Sequence, residues 1–177
     1  IEMAMRYKNP SMESVLEKMR LANYDQIIIL PLFPQYASAS SGSAIEKAMQ
    51  IIGKWWVIPE IKIINQFWDN EGYIDSIVER AKEFNLASFD HILFSYHGLP
   101  ERQVDKVYEG KDLCGDQPCE SEVNEKNKFC YKATSFATTR LIAAKLGIHE
   151  SRYTVCFQSR LDKKWLTPFS DKVVEEW

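Results

Sequence analysis

The chain has 177 residues, 45% of them hydrophobic and 27% charged, with a formal net charge of -3. That is the balance of a globular chain long enough to bury a sizeable core. It carries no basic stripe, which speaks against nucleic acid as a partner, and its longest apolar runs, such as Ile27 to Leu32, are too short to span a bilayer.

Met3 to Tyr7 can close a strand. Asn9 is a candidate cap with Pro10 at the first helical position, and Met12, Val15, Leu16 and Met19 then recur at helical spacing. Asp25 to Leu32 reads as a fully buried parallel strand, ended by Pro31 and Pro34. The polar, turn-rich run Gln35 to Ser43 opens a helix reaching about Lys54. Its backbone N–H groups and serine oxygens can hold an anion, or simply cap a loop. It lacks the glycine pattern of a P-loop or dinucleotide fold. Ile61 to Ile64 is a short strand. Asp69 or Asn70 caps a helix with Tyr73, Ile74, Ile77, Val78, Ala81 and Phe84 on one face.

Ile92 to Tyr96 is apolar, aromatic and short, a buried strand that stops at Gly98 and Pro100. A long charged loop leads to a helix from about Lys132 to Leu146. Its apolar face is Phe136, Ala137, Ile142 and Ala144, with Leu141 and Leu146 beside it and Gly147 at its end. Tyr153 to Gln158 is the last strand, and Ser170-Asp171 starts a final helix. Strands alternating with helices predict an α/β fold of right-handed βαβ units, with a parallel sheet covered on both faces. The weakest point for a domain boundary is Pro34 to Ser43. The chain opens on Ile1 and stops at Trp177 inside a helix, so it is expected to be a piece of a longer protein.

His97 sits at the carboxyl end of its strand, the edge where open α/β sheets bind ligands. A neutral imidazole there can accept a proton or give a lone pair to a metal; a histidine hydrogen-bonded at a turn fits the same pattern. Cys114, Cys119 and Cys130 share one polar segment, which points to metal or redox chemistry before a structural bridge. Cys156, in a strand, reads as a small buried hydrophobe.

Four blocks go further: Met5-Arg6-Tyr7-Lys8-Asn9-Pro10-Ser11, Leu30-Pro31-Leu32-Phe33-Pro34-Gln35-Tyr36, Ser95-Tyr96-His97-Gly98-Leu99-Pro100 and Phe157-Gln158-Ser159-Arg160. In their order and spacing they resemble the signature blocks of the ferrochelatases. The resemblance covers nearly the whole chain. It implies a chelatase-like fold of two doubly wound α/β domains, with residues 1–36 the second half of the first and 37–177 most of the second, cut short at the C-terminus. It implies insertion of ferrous iron, a substrate, into protoporphyrin IX to form protohaem. A non-catalytic porphyrin- or metal-binding piece and action on coproporphyrin III stand as alternatives, as does a chelatase working on sirohydrochlorin with cobalt or nickel.

The resemblance makes His97 the metal ligand and proton acceptor. Its partner glutamate falls beyond Trp177, so this chain alone is expected to be inactive. Arg6, Tyr7, Ser40, Ser41, Ser43, Gln158, Ser159, Arg160 and Trp165 become candidates for the porphyrin, Arg6 through a propionate carboxylate. The run Arg160 to Trp165 is one residue shorter than the family pattern and lacks its usual glycine. Some ferrochelatases carry a [2Fe-2S] cluster. Cys114, Cys119 and Cys130 are candidates for such a cluster or for zinc, and three thiols in an insertion fit equally. His91 and His149 match no block. A cytoplasmic protein with peripheral contact to the inner membrane is expected.

Overall fold

The computed structural model describes residues 1–108 and 118–176. The chain forms two compact units, Ile1–Gln66 and Phe67–Trp177. The division falls well after the 36/37 boundary that the resemblance implies; the first unit keeps the strand after that boundary because it pairs with the strand before it.

In the first unit, α1 (Met12–Leu21), β1 (Gln26–Ile29), α2 (Ser43–Ile52) and β2 (Glu60–Ile63) follow in order. Helix α1 starts two residues later than expected. Ser11, not Asn9, is the cap: its hydroxyl accepts the Ser14 N–H at 3.2 Å. Pro10 belongs to the preceding turn, where its carbonyl accepts the Met5 N–H at 2.7 Å. The strand expected at Met3 to Tyr7 is only a bridge between Met5 and Ser11.

Strands β1 and β2 pair in parallel, Ile27 opposite Ile61 and Ile29 opposite Ile63. Leu16, Ala48 and Ile52 of the two helices pack with Ile29 and Ile61. The alternation of a strand puts Ile28 on the other side, where it is 53% exposed. The expectation of a fully buried β1 is therefore corrected: the described helices cover one face, and Ile27 alone of its residues is buried.

The second unit contains α3 (Glu71–Ala81), β3 (Ile92–His97), α4 (Glu101–Val104), α5 (Tyr131–Leu146), β4 (Tyr153–Gln158) and α6 (Ser170–Glu176). Asn70 caps α3 through the Tyr73 N–H at 3.2 Å. Ile74 and Val78 are its buried face, while Phe84 lies past the helix end and is exposed. Strands β3 and β4 pair in parallel from Ile92 opposite Tyr153 to His97 opposite Gln158. Short α4 falls within the segment expected to be loop throughout.

Helix α5 has the expected bounds within a residue, and Gly147 ends it in the left-handed region at φ 67°. Its buried face matches the expected one only at Ala137 and Ile142. Ala133, Thr134, Ser135, Ala137, Thr138, Thr139, Ile142 and Ala143 are buried, while Leu141 and Ala144 are exposed. The hydroxyls can be buried because each has an acceptor or partner. Thr134 donates to the Cys130 carbonyl at 2.9 Å, Ser135 to Tyr131 at 2.7 Å, and Thr138 to Thr134 at 2.8 Å and to Trp68 at 3.1 Å. Thr139 meets the Tyr96 hydroxyl at 2.9 Å. Small side chains let the helix approach β3 and β4. The core on that side is Val155 and Phe157 with Phe94, Tyr96 and Phe136 packed against them.

Candidate functional site

His97 ends β3 with its side chain exposed, opposite Gln158 at the end of β4. The chain then has to leave the sheet in a confined space. The Gly98 N–H donates to the Gln158 carbonyl at 2.7 Å. A Cβ at Gly98 would stand 2.8 Å from that carbonyl oxygen and 3.3 Å from the Trp165 ring, so only glycine fits without movement. Leu99 accepts the Leu166 N–H at 2.9 Å, and Glu101 donates to the Lys164 carbonyl at 3.0 Å. These bonds tie the segment after His97 to the segment holding Trp165. Three separated stretches of sequence thus place an exposed imidazole, Gln158, Ser159 and Trp165 around one strand edge.

Behind the edge lie phenols. Burial pushes Tyr96 well above the ordinary phenol range, partly offset by its bond to Thr139. Burial likewise pushes Tyr131 up to about 12, opposed by hydrogen bonding with the His97 main chain and with Ser135. Both phenols stay neutral near pH 7. The His97 imidazole therefore faces solvent on one side while its backbone is supported by neutral, packed groups.

Ser159 takes a positive φ of 64°, uncommon for a residue with a side chain, and is exposed. Arg160 is engaged elsewhere: its guanidinium bonds Asp171 at 2.5 Å and lies over the Phe169 ring at 4.0 Å. The charge expected to face the porphyrin is already met by the first turn of α6.

The remaining candidates lie in the first unit. The Arg6 Nε donates to the Ser43 hydroxyl at 3.2 Å and to its carbonyl at 3.3 Å, and the guanidinium lies 4.6 Å from the Tyr7 ring centre. Tyr7 itself is exposed. Ser38–Gly42 form a π-helical turn leading into α2, an arrangement frequent at functional sites. Ser41 is fully buried there, and among the described residues its hydroxyl has no hydrogen-bond partner. The Ser40 hydroxyl donates to the Ala37 carbonyl at 3.5 Å.

Cys119 and Cys130 are buried with their sulfurs 4.0 Å apart. Cys114 lies outside the described residues. Among the described residues no three histidine, cysteine or acidic side chains converge as a metal site. Cys156 is buried as expected. His91 bonds Thr154 at 2.8 Å, and His149 bonds Ser151 at 2.9 Å, so both take part in local structure. Sequence reasoning missed Gly98 and Tyr131. Gly98 was visible only as a strand stop, and nothing in the sequence around Tyr131 connects it to a residue 34 positions earlier.

A family model described as ferrochelatase matches residues 1–177, the whole chain. The chain belongs to the ferrochelatase family. It is 40% identical over 177 residues to a ferrochelatase of Legionella pneumophila (strain Corby), covering 99% of this chain and 52% of that protein. It is 40% identical over 179 residues to a ferrochelatase of Coxiella burnetii (strain Dugway 5J108-111), covering 99% of this chain and 49% of that one. The chain spans about half the length of the curated relatives it matches.

Proposed function

We propose that this chain carries the histidine-bearing part of an enzyme that inserts ferrous iron into a porphyrin, the lyase step that forms haem. The observation that carries the reading is the exposed His97 at the carboxyl end of β3, in register with Gln158 and next to the Gly98–Trp165 contact. Insertion exchanges two pyrrole protons for one Fe2+. His97 takes a proton from a pyrrole N–H or gives its lone pair to the incoming iron, both of which need the neutral imidazole. Trp165 offers an aromatic surface beside it. Arg6, oriented by Ser43, offers its remaining N–H groups to a propionate carboxylate; Tyr7 is its neighbour in sequence, and Ser40 and Ser41 precede Ser43 in the π-helical turn leading into α2. Gln158 and Ser159 border the imidazole. Arg160, held by Asp171 and stacked on Phe169, keeps its other N–H groups for the porphyrin.

Protoporphyrin IX is the substrate this reading favours, with coproporphyrin III the competitor. The proposal extends to a cytoplasmic protein touching the membrane that holds its apolar substrate. No helix among the described residues is long and apolar enough to cross a membrane. It does not require the [2Fe-2S] cluster or zinc ion expected on Cys114, Cys119 and Cys130, for which only the approach of Cys119 to Cys130 speaks. The test is anaerobic ferrous insertion by the full-length protein, followed by absorbance with each porphyrin in parallel. Faster turnover of protoporphyrin supports the reading; preference for coproporphyrin replaces the substrate, and turnover of neither removes the activity.

A further inference from the structure

The first unit holds a cavity that iron insertion does not use. It has a volume of about 380 Å³ and lies where α1 and α2 end and β1 and β2 begin. That volume is in the range of small-molecule sites. Met19 and Ile27 line it together with three aromatic residues, Tyr24, Trp55 and Trp56, and with Asp25 and Arg20. Ile27 is buried while Trp56 is fully exposed, so the lining runs from core to solvent.

The charges there favour a cation. Two helices end at the cavity, and the C-terminal end of each carries partial negative charge. The Asp25 carbonyl accepts the Glu60 N–H at 3.0 Å, but its carboxylate has no hydrogen bond or ion pair among the described residues. The neighbouring cations are already met: Arg20 bonds Glu17 through two nitrogens at 2.6 and 2.8 Å, and Lys18 bonds Glu2 at 2.6 Å. Lys54 follows α2 but stands outside the lining. The walls decide which cation fits. A metal ion needs several oxygen ligands, which one carboxylate does not supply. A primary ammonium would leave N–H donors unpaired against aromatic rings. A quaternary ammonium has no N–H, presents its charge on apolar methyl groups, and is attracted to aromatic faces.

We propose that this cavity binds a quaternary ammonium group, with its methyls against Tyr24, Trp55 and Trp56 and its charge answered by Asp25 and the two helix ends. This inference does not depend on the iron-insertion reading.

The test titrates the full-length protein with choline chloride and with tetramethylammonium chloride at constant ionic strength, read by calorimetry and tryptophan fluorescence. The expected result is saturable binding of both ions. Neohexyl alcohol, the uncharged carbon counterpart of choline, should bind more weakly. Asp25→Asn and Trp56→Ala should each weaken choline binding about 2- to 30-fold. Both side chains are exposed, so both variants should fold. Cosedimentation with phosphatidylcholine vesicles that choline displaces assigns the group to a lipid headgroup, and binding of free choline without it assigns the group to a soluble amine; either supports the proposal. No saturable binding of either ion, equal affinity for neohexyl alcohol, or affinity unchanged in Asp25→Asn or in Trp56→Ala would each overturn it.

Discussion

Gly98 is the residue at which the smallest chemical change should do most to the site. A methyl group there meets the Gln158 carbonyl oxygen at 2.8 Å, and that oxygen is itself fixed by the Gly98 N–H. Gly98→Ala should cost about 1–3 kcal/mol by overpacking, read as a lowered urea midpoint with unchanged slope. A midpoint equal to wild type would mean that the strand ends are not clamped. Arg6 makes a different prediction. Its Nε is committed to Ser43, which leaves the rest of the guanidinium for a carboxylate. Arg6→Ala should weaken porphyrin binding by about 1.5–3 kcal/mol, the range for a charged hydrogen bond. Equal affinity for a porphyrin and its propionate ester in wild type would contradict this. His97 was legible in the sequence because glycine and proline mark the strand end next to it. The Arg160 contacts to Asp171 and Phe169 were not legible, because a turn that no local pattern announces brings these partners back.

At the scale of elements, α5 separates what periodicity can and cannot say. The helix and its glycine stop were legible, but of its buried face only Ala137 and Ile142 were, because an apolar stripe is a poor guide when hydroxyls bond back to the preceding turn. The Thr139 hydroxyl is the partner of the buried Tyr96 hydroxyl. Thr139→Val keeps the shape and orphans the phenol, which should cost about 1–3 kcal/mol; Tyr96→Phe in the same background should recover much of it. A double-mutant cycle with no coupling would show that the bond contributes nothing. Tyr131 gives the helix a pH signature. Its phenol is raised to about 12, above the value near 10 of an unfolded chain. The folded state therefore keeps a proton that the unfolded state releases. This contribution is complete below about pH 10 and fades as pH rises toward 12. Tyr131→Phe should flatten the alkaline decline of the urea midpoint, and an unchanged decline would assign it to other groups. The strands themselves followed from apolar runs bounded by proline and glycine, but their pairing in two separate two-stranded sheets did not. What the runs could not show is that Ile28 faces outward, since a continuous apolar strand reads as buried on both sides.

At the scale of the whole molecule, the two compact units have separate cores. Ile52 is fully buried among Leu16 and Ala48 in one, and Phe157 among Val155 and Leu166 in the other. Ile52→Ala should cost about 2–5 kcal/mol and speed hydrogen exchange in β1 and β2 more than in β3 and β4; uniform acceleration would mean one cooperative unit. The 36/37 boundary stays a proposal about domains, distinct from the compactness that groups β2 with β1. The central claim is that His97 performs the proton and metal step while the rest of the structure holds it in place. Its side chain is exposed at the end of β3, so His97→Ala should leave the fold intact. On the proposed function, porphyrin affinity should come chiefly from apolar area, which one imidazole does not supply. The decisive measurement is anaerobic ferrous insertion by full-length His97→Ala, beside a porphyrin-binding titration of the same preparation. The account predicts that insertion is abolished while porphyrin affinity stays near that of wild type. Wild-type turnover from the alanine variant would contradict it.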